Sequence, residues 1–310
     1  MSTSTQNQPQ GAAVTLKHSG YQATITEVGA NLSSLTSPKG RQLVLPAPPH
    51  KIREAARGAL LAPWPNRIAE GRYTWKGAEY QLPINEPTLR NAIHGLADWT
   101  RWELNQAINT PDSSSVTANL HLVPQPGYPF PLKLTATYTL TTQGLTTTFT
   151  ALNTGEATAP YALGAHPYLM AGTEQETPGA VDSWNLTAPV STYLKVNESM
   201  IPTQELPLTE DLNLADTLPL KGINLDHAFG GIQKTAGEAH IVLTAPNGEA
   251  TRLTIGDGIE WLQFYTDGTQ RRALAAEPMT APANAFNSGT DLIELEPHQS
   301  HTSWWRIQED

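Results

Sequence analysis

Leu132-Lys-Leu-Thr-Ala-Thr-Tyr-Thr-Leu-Thr-Thr-Gln-Gly144-Leu-Thr-Thr-Thr-Phe-Thr-Ala-Leu152 alternates with a period of two over almost its whole length. Leu134, Ala136, Tyr138 and Leu140 fall on one face and threonines line the other, the pattern of a strand buried on one side. Thr142-Gln143-Gly144 interrupts the alternation with turn formers, so the stretch reads as a long β-hairpin whose threonine face meets solvent. Shorter copies of the pattern recur. Val14–His18 and Gln22–Val28 flank Ser19-Gly20, Tyr73–Trp75 and Tyr80–Leu82 flank Lys76-Gly77, and His240–Leu243 and Thr251–Ile255 flank Pro246-Asn247-Gly248.

Helical periodicity is scarce: Lys51–Leu60 predicts at most one short helix or turn before Pro63. Ala171–Val181 and Met200–Lys221, rich in turn formers and acids, read as surface loops. With 25 Pro, 23 Gly and 15% charged residues in 310, the composition favours many strands joined by tight turns. The expectation is an all-β protein with one domain over residues 11–310 behind a disordered N-terminal tail, residues 1–10.

A net charge of −10 with 19 Lys+Arg lacks the basic footprint of a nucleic-acid binder. No stretch reaches the roughly 18 apolar residues of a membrane span, and the first ten residues have neither the basic nor the apolar segment of a signal peptide. With no cysteines there are no disulfides and no thiolate metal sites, which fits a cytoplasmic protein. The nine histidines form no His-Glu-x-x-His, and His298/His301 make only a loose pair, so neither metal nor cofactor is expected. Nucleophile-elbow and phosphate-loop patterns are missing as well.

Four islands and one central heptapeptide place polar groups in apolar, turn-rich surroundings. Leu163-Gly-Ala-His166-Pro-Tyr-Leu169 sets an imidazole before a proline, which biases it to extended backbone, beside a Gly164-Ala165 pair that leaves room for another group. Alone, His166 reads more readily as a residue closing a buried turn. In Arg57–Tyr73, Trp64 lies between two prolines and offers a flat face to the C–H side of a sugar, while Asn66 and Arg67 offer directional donors. Asn91-Ala-Ile-His94-Gly95 suggests a second presented imidazole. Asp226, in Asn224-Leu-Asp-His-Ala-Phe229, suits vicinal hydroxyls. The last island, Ile259–Gly289, holds Gln263-Phe-Tyr265 and Glu277. A partly desolvated carboxylate at a strand end is a candidate base, but Glu296 has similar neighbours and local composition does not choose between the two.

Taken together and in order, Pro65–Tyr73, Ile93-His94-Gly95, Gly164–Tyr168, Leu225-Asp226-His227, Gln263-Phe264-Tyr265 and Ala276-Glu277-Pro278 resemble the aldose 1-epimerase (galactose mutarotase) family, from about Leu16 to Arg306. The resemblance implies a single large antiparallel β-sandwich, the galactose mutarotase-like supersandwich, with a sugar cleft on one face. It implies Glu277 as catalytic base and His166 as general acid, with Arg67, His94, Asp226, Gln263 and Asn66 binding the sugar, and leaves Glu296 in a turn. The Gly-Ala-His-Pro-Tyr form and the Glu-Pro-Met-Thr loop depart from better-known galactose mutarotases and resemble a bacterial branch. The implied reaction interconverts α and β anomers of a hexose in a cofactor-free monomer or homodimer. Opposite charges close together would hold Glu277 ionised and His166 protonated. Two other readings stand beside it: an epimerase of an anionic sugar, a hexose 6-phosphate or sulfonated hexose, with Arg53, Arg57, Arg72 or Arg90 as the anion contact, and a non-catalytic sugar-binding module.

Overall fold

The threonine-rich stretch forms two strands, Leu132–Thr141 and Gly144–Asn153, paired in continuous register from Thr141 opposite Gly144 to Leu132 opposite Asn153. Leu134, Ala136 and Leu140 are completely buried and Tyr138 nearly so. The threonine face is half-buried rather than fully wet, because hydroxyls pair across strands: Thr137 Oγ1 lies 3.2 Å from Thr117 Oγ1, and Thr135 donates to Asn119 Oδ1 at 3.1 Å. Gly144 has φ +94°, and a Cβ there would lie 2.4 Å from the Ile307 carbonyl oxygen. The turn therefore requires glycine both for its backbone and for the strand beside it.

The computed structural model describes residues 8–172, 177–266 and 268–310, and two large antiparallel sheets dominate it. The ten-stranded sheet runs in the order Ile108–Asn109, Ser114–Leu122, Leu132–Thr141, Gly144–Asn153, Ser300–Glu309, Ala250–Ile255, Ala239–Thr244, Asn185–Thr187, Leu218–Pro219, with Glu103–Leu104 also on Ser114–Leu122. The eight-stranded sheet runs Pro202–Pro207, Thr192–Val196, Asp226–Gly230, Trp261–Thr266, Leu274–Met279, Gly164–Ala165, Leu60–Leu61, with Tyr168–Leu169 also on Leu274–Met279. A three-stranded sheet, Ala13–His18, Tyr21–Thr26 and Asn31–Thr36, packs beside them.

One apolar cluster joins Tyr138, Phe149, Leu253 and Ile307 of the large sheet to Phe229, Leu262, Phe264 and Ala276 of the smaller one. Fully burying a side chain such as Phe149 contributes about 1.5–3 kcal/mol. The result is the expected all-β sandwich. Because side chains alternate along a strand, Phe264 and Ala276 on the core face leave Gln263, Tyr265 and Glu277 on the other. That second face of the eight-stranded sheet is the floor of the candidate site.

Several local expectations change. Residues 51–59 form turns and no helix; Ala55 and Ala56 have φ of 47° and 51°, outside helical space. The stretch Met200–Lys221 contributes the edge strand Pro202–Pro207 and the short strand Leu218–Pro219, and Ala180–Ser183 is a 3₁₀ turn with Ala180 and Val181 buried. Residues 1–7 of the expected tail lie outside the described residues. Gln10 belongs to the folded structure: fully buried, it donates to the carbonyls of Ala47, Pro48 and Lys51 and accepts from Asn31. No helix among the described residues is long and apolar enough to cross a membrane.

Candidate active site

Strand register aligns the carboxylate, the amide and the aspartate. Gln263 lies opposite Glu277 on the neighbouring strand, and Asp226 lies opposite Tyr265 on the next. Gln263 Nε2 donates to Asp226 Oδ1 at 2.7 Å. Across the floor, His166 occupies the break between Gly164–Ala165 and Tyr168–Leu169, two short strands that both pair with Leu274–Met279. Its own backbone is satisfied by the Ala59 carbonyl and the Gly58 N–H, and Pro167 accepts from the Ala276 N–H at 3.0 Å. The main chain is thus fixed on both sides while the imidazole faces Glu277.

The wall is a two-stranded ribbon, Arg67–Ala69 against Asn91–Ile93, flanked by Asn66 and His94. The His94 N–H donates to the Asn66 carbonyl at 2.9 Å, and both residues hold positive φ, 65° and 53°. Such backbone costs on the order of 1–3 kcal/mol and persists only where its surroundings impose it. Here they do: Gly95 packs so close to Ala62 that a Cβ would lie 2.2 Å from the Ala62 oxygen. Arg67 is held by Glu86 through Nε at 2.9 Å and Nη2 at 3.0 Å, and Asn91 Nδ2 donates to the same carboxylate at 2.9 Å.

All seven residues anticipated from sequence, Asn66, Arg67, His94, His166, Asp226, Gln263 and Glu277, line one cavity of about 490 Å³. His166 Nε2 lies 3.3 Å from Glu277 Oε1, with both side chains almost wholly buried. Among the described residues Glu277 Oε2 has no hydrogen-bond partner. The His166 ring stacks on Tyr168 (centroids 5.0 Å apart, planes 8° apart) and meets the edge of His94 at 5.3 Å.

Burial dominates the electrostatics. It raises Glu277 well above the ordinary carboxylate range, helped by the Asp226 charge and opposed by Arg67. Burial lowers His166 to about 3, with Arg53 and Arg57 adding to the effect. His94 is pushed well down by burial and by His166, and Asp226 is raised by burial against the pull of Arg67 and Gln263. The two groups expected to hold each other ionised are close enough to do so, but desolvation outweighs their attraction. In both groups burial therefore favours the uncharged form.

Glu296 is exposed in a turn, where it accepts from Thr158 at 2.9 Å, far from this arrangement. Trp64 does not present a sugar face: it is buried against the edge of Phe286. The room beside Gly164 is filled by Pro65, whose Cβ would lie 2.6 Å from a side chain there. Sequence reasoning missed Asp98 and Trp99 on the rim. Trp99 is 53% exposed, and its ring lies 4.4 Å from the guanidinium of Arg53, which is buried and paired with Asp98. Two adjoining residues, one acidic and one aromatic, carry no periodic signal that could have marked them.

Residues 12–308 match the family model "Aldose 1-epimerase". The chain is 38% identical over 301 residues to "Uncharacterized protein YihR" of Escherichia coli strain K12, covering 96% of this chain and 93% of that one. It is 33% identical over 279 residues to human galactose mutarotase, covering 81% and 78%. Among solved structures, a galactose mutarotase-like protein from Clostridium acetobutylicum superposes with a TM-score of 0.86 at 17% identity, over 96% of this chain and 95% of that one.

Proposed function

The chain belongs to the aldose 1-epimerase family, and on that premise we propose that it interconverts the α and β anomers of a neutral aldohexose by acid–base ring opening and reclosure. The observation that carries this reading is the His166–Glu277 pair, 3.3 Å apart in a buried cavity, with Glu277 Oε2 unpartnered among the described residues.

The shared proton rests on Glu277 in the form of lowest charge. Its transfer to His166 Nε2 creates a carboxylate base and an imidazolium acid in one step without changing the net charge. Glu277 then takes the proton of the C1 hydroxyl while His166 gives its proton to the ring oxygen; the C1–O5 bond breaks and an aldehyde forms. Rotation about C1–C2 presents the opposite carbonyl face, and the same transfers in reverse close the other anomer. Each positioned transfer contributes on the order of 10²–10⁴-fold. Tyr168 and His94 hold the imidazole plane. Arg67, Asp226 and Gln263 bind hydroxyls, and Arg67, whose charge favours ionised Glu277, also supports the base.

Charge around the cavity supports a neutral sugar. Arg53 lies buried beneath Trp99 and paired with Asp98, and Arg57 lies over the Tyr168 ring with Glu54 beside it. Arg72 and Arg90 line other hollows. Among the described residues Arg67 is the cation lining the cavity, and Glu86 balances it. The test is polarimetry of freshly dissolved α-glucose and α-galactose, with exchange NMR on a hexose 6-phosphate and a sulfonated hexose. Acceleration with the neutral sugars is expected. Acceleration confined to the anionic sugars would overturn the assigned substrate class, and binding with no acceleration of any sugar would make the protein a binding module.

A further inference from the structure

The acid half of the pair is backed by a guanidinium that the mechanism above leaves unused. Arg57 is 7% exposed, and burying a cation is costly unless it is well paired. Its bonds are long: 3.3 Å from Nη1 to the Pro46 carbonyl, and 3.3 Å from Nη2 to Glu54 Oε2, on a side chain that is 73% exposed. Among the described residues its Nε has no partner. Arg53, by contrast, is closed off by Asp98, which meets it with both its carbonyl and its carboxylate.

The contact that distinguishes Arg57 is with Tyr168. Its guanidinium carbon lies 5.3 Å from the centroid of the Tyr168 ring, within reach of a cation–π attraction. The same ring stacks on His166, and its hydroxyl donates to the Ala55 carbonyl at 3.3 Å, two residues before Arg57. Gly58, the next residue along, gives its N–H to the His166 carbonyl at 2.8 Å. One turn therefore grips the His166 backbone directly and the His166 ring through Tyr168. Ala55 and Ala56 line the cavity and Arg57 does not, so the guanidinium has no contact to offer a sugar there.

We propose that Arg57 is a positioning residue for the general acid: it holds the Tyr168 ring and, through that ring, the plane of the His166 imidazole in line with Glu277. The proposal rests on the anomer interconversion put forward above. The charge of Arg57 has a second effect. Around His166 stand Glu277 on Leu274–Met279, His94 beside the ribbon that carries Arg67, and Arg53 and Arg57 from residues 51–59. Burial lowers His166 most, with Arg53 and Arg57 next, and Arg53 is the one balanced by a buried aspartate. Without the Arg57 charge, His166 takes up a proton at higher pH.

The test compares the native protein with Arg57→Met, which loses the charge, and with Arg57→Lys, which keeps the charge and loses the flat fork. Each is followed by saturation kinetics on glucose and galactose and by NMR titration of the His166 ring signals. Arg57→Met should lower kcat roughly tenfold with KM within about twofold, because a displaced acid costs rate and not binding. It should displace the ring signals, which the parallel Tyr168 ring shields in the native protein, and raise their titration midpoint from about 3 by roughly one pH unit. Arg57→Lys should keep the native midpoint, with kcat between the other two. A fall in kcat with unmoved ring signals and midpoint would make Arg57 merely structural. Native kcat in Arg57→Met, or a rise in KM in step with the fall in kcat, would equally overturn the proposal. If Arg57→Met does not fold, Arg57→Lys decides: lowered kcat with displaced ring signals upholds the clamp, and any other result overturns it. If the native protein turned over no sugar, the proposed reaction would fail, and NMR would still decide the clamp. Displaced signals with a raised midpoint in Arg57→Met uphold it, and unmoved signals overturn it.

Discussion

His166 Nε2 faces Glu277 Oε1 across 3.3 Å, in surroundings that oppose a charge on either group. In the proposed reaction the reactive form carries one proton on the pair. A second proton is taken up only as pH falls toward about 3, at His166, and the single proton is lost only as pH rises through the raised value of Glu277. We therefore expect kcat/KM to be level from mildly acidic through neutral pH and to fall on the alkaline side. A bell confined between the ordinary values of 4.5 and 6.5 would show that the two groups titrate independently.

Glu277→Gln separates activity from stability. Activity should drop by about 10²-fold or more. A carboxyl with a raised folded pKa loses stability as pH climbs from its unfolded value toward its folded one, so at neutral pH the native glutamate weakens the fold. The glutamine variant should then melt higher at pH 7.5, by about 1.5 °C for each kcal/mol regained in a chain of this length, and the gain should vanish near pH 4.5. Glu296→Gln gives up one exposed contact with Thr158 and should leave turnover within twofold. Thermal melts and polarimetry on both variants check this, and the reverse ranking of activities would move the base to Glu296.

Glu86 acts through Arg67. Glu86→Gln removes the charge that holds Nε and Nη2, a charge-assisted contact worth about 1.5–3 kcal/mol. KM should rise roughly tenfold or more with a smaller change in kcat, because hydroxyl binding suffers before proton transfer does. A fall in kcat at constant KM, measured by saturation kinetics, would show that Arg67 acts through the base Glu277 alone and not on hydroxyl binding.

Gly95 and Gly77 share positive φ, 76° and 83°, but differ in space: a Cβ at Gly95 meets the Ala62 oxygen, and one at Gly77 meets nothing within 4 Å. Gly77→Ala should cost about 1–2 kcal/mol for its backbone alone and keep full activity. Gly95→Ala should cost more and displace His94, lowering turnover as well as the melting temperature. Equal losses in both variants would mean that the Gly95 contact relaxes freely.

The strands were legible because a half-buried strand writes its burial into alternate residues, as Leu134 to Leu140 do. The seven cavity residues were legible only jointly, through the order of short motifs from Asn66 to Glu277. The edge strand Pro202–Pro207 was hidden by its prolines, which an edge position tolerates because one side of the strand needs no donors. Gln10 looked like tail because nothing local shows that its amide will satisfy three loop carbonyls. Trp64 misled for a similar reason. A tryptophan between prolines is stiff in either setting, and only packing against Phe286 decides that it is core.

The Ser300–Glu309 strand lies between Gly144–Asn153 and Ala250–Ile255, in the middle of the ten-stranded sheet. Residues 154–299 must be synthesised after its first neighbour and before it, which at 5–20 residues per second takes about 7–30 s. Throughout that interval the Gly144–Asn153 strand has an unpaired edge, rich in threonine and alternating in pattern, of the kind that recruits strands from other molecules. Yield in the cell should therefore depend on translation speed and on chaperones that cover this edge, more than on the stability of the finished sheet.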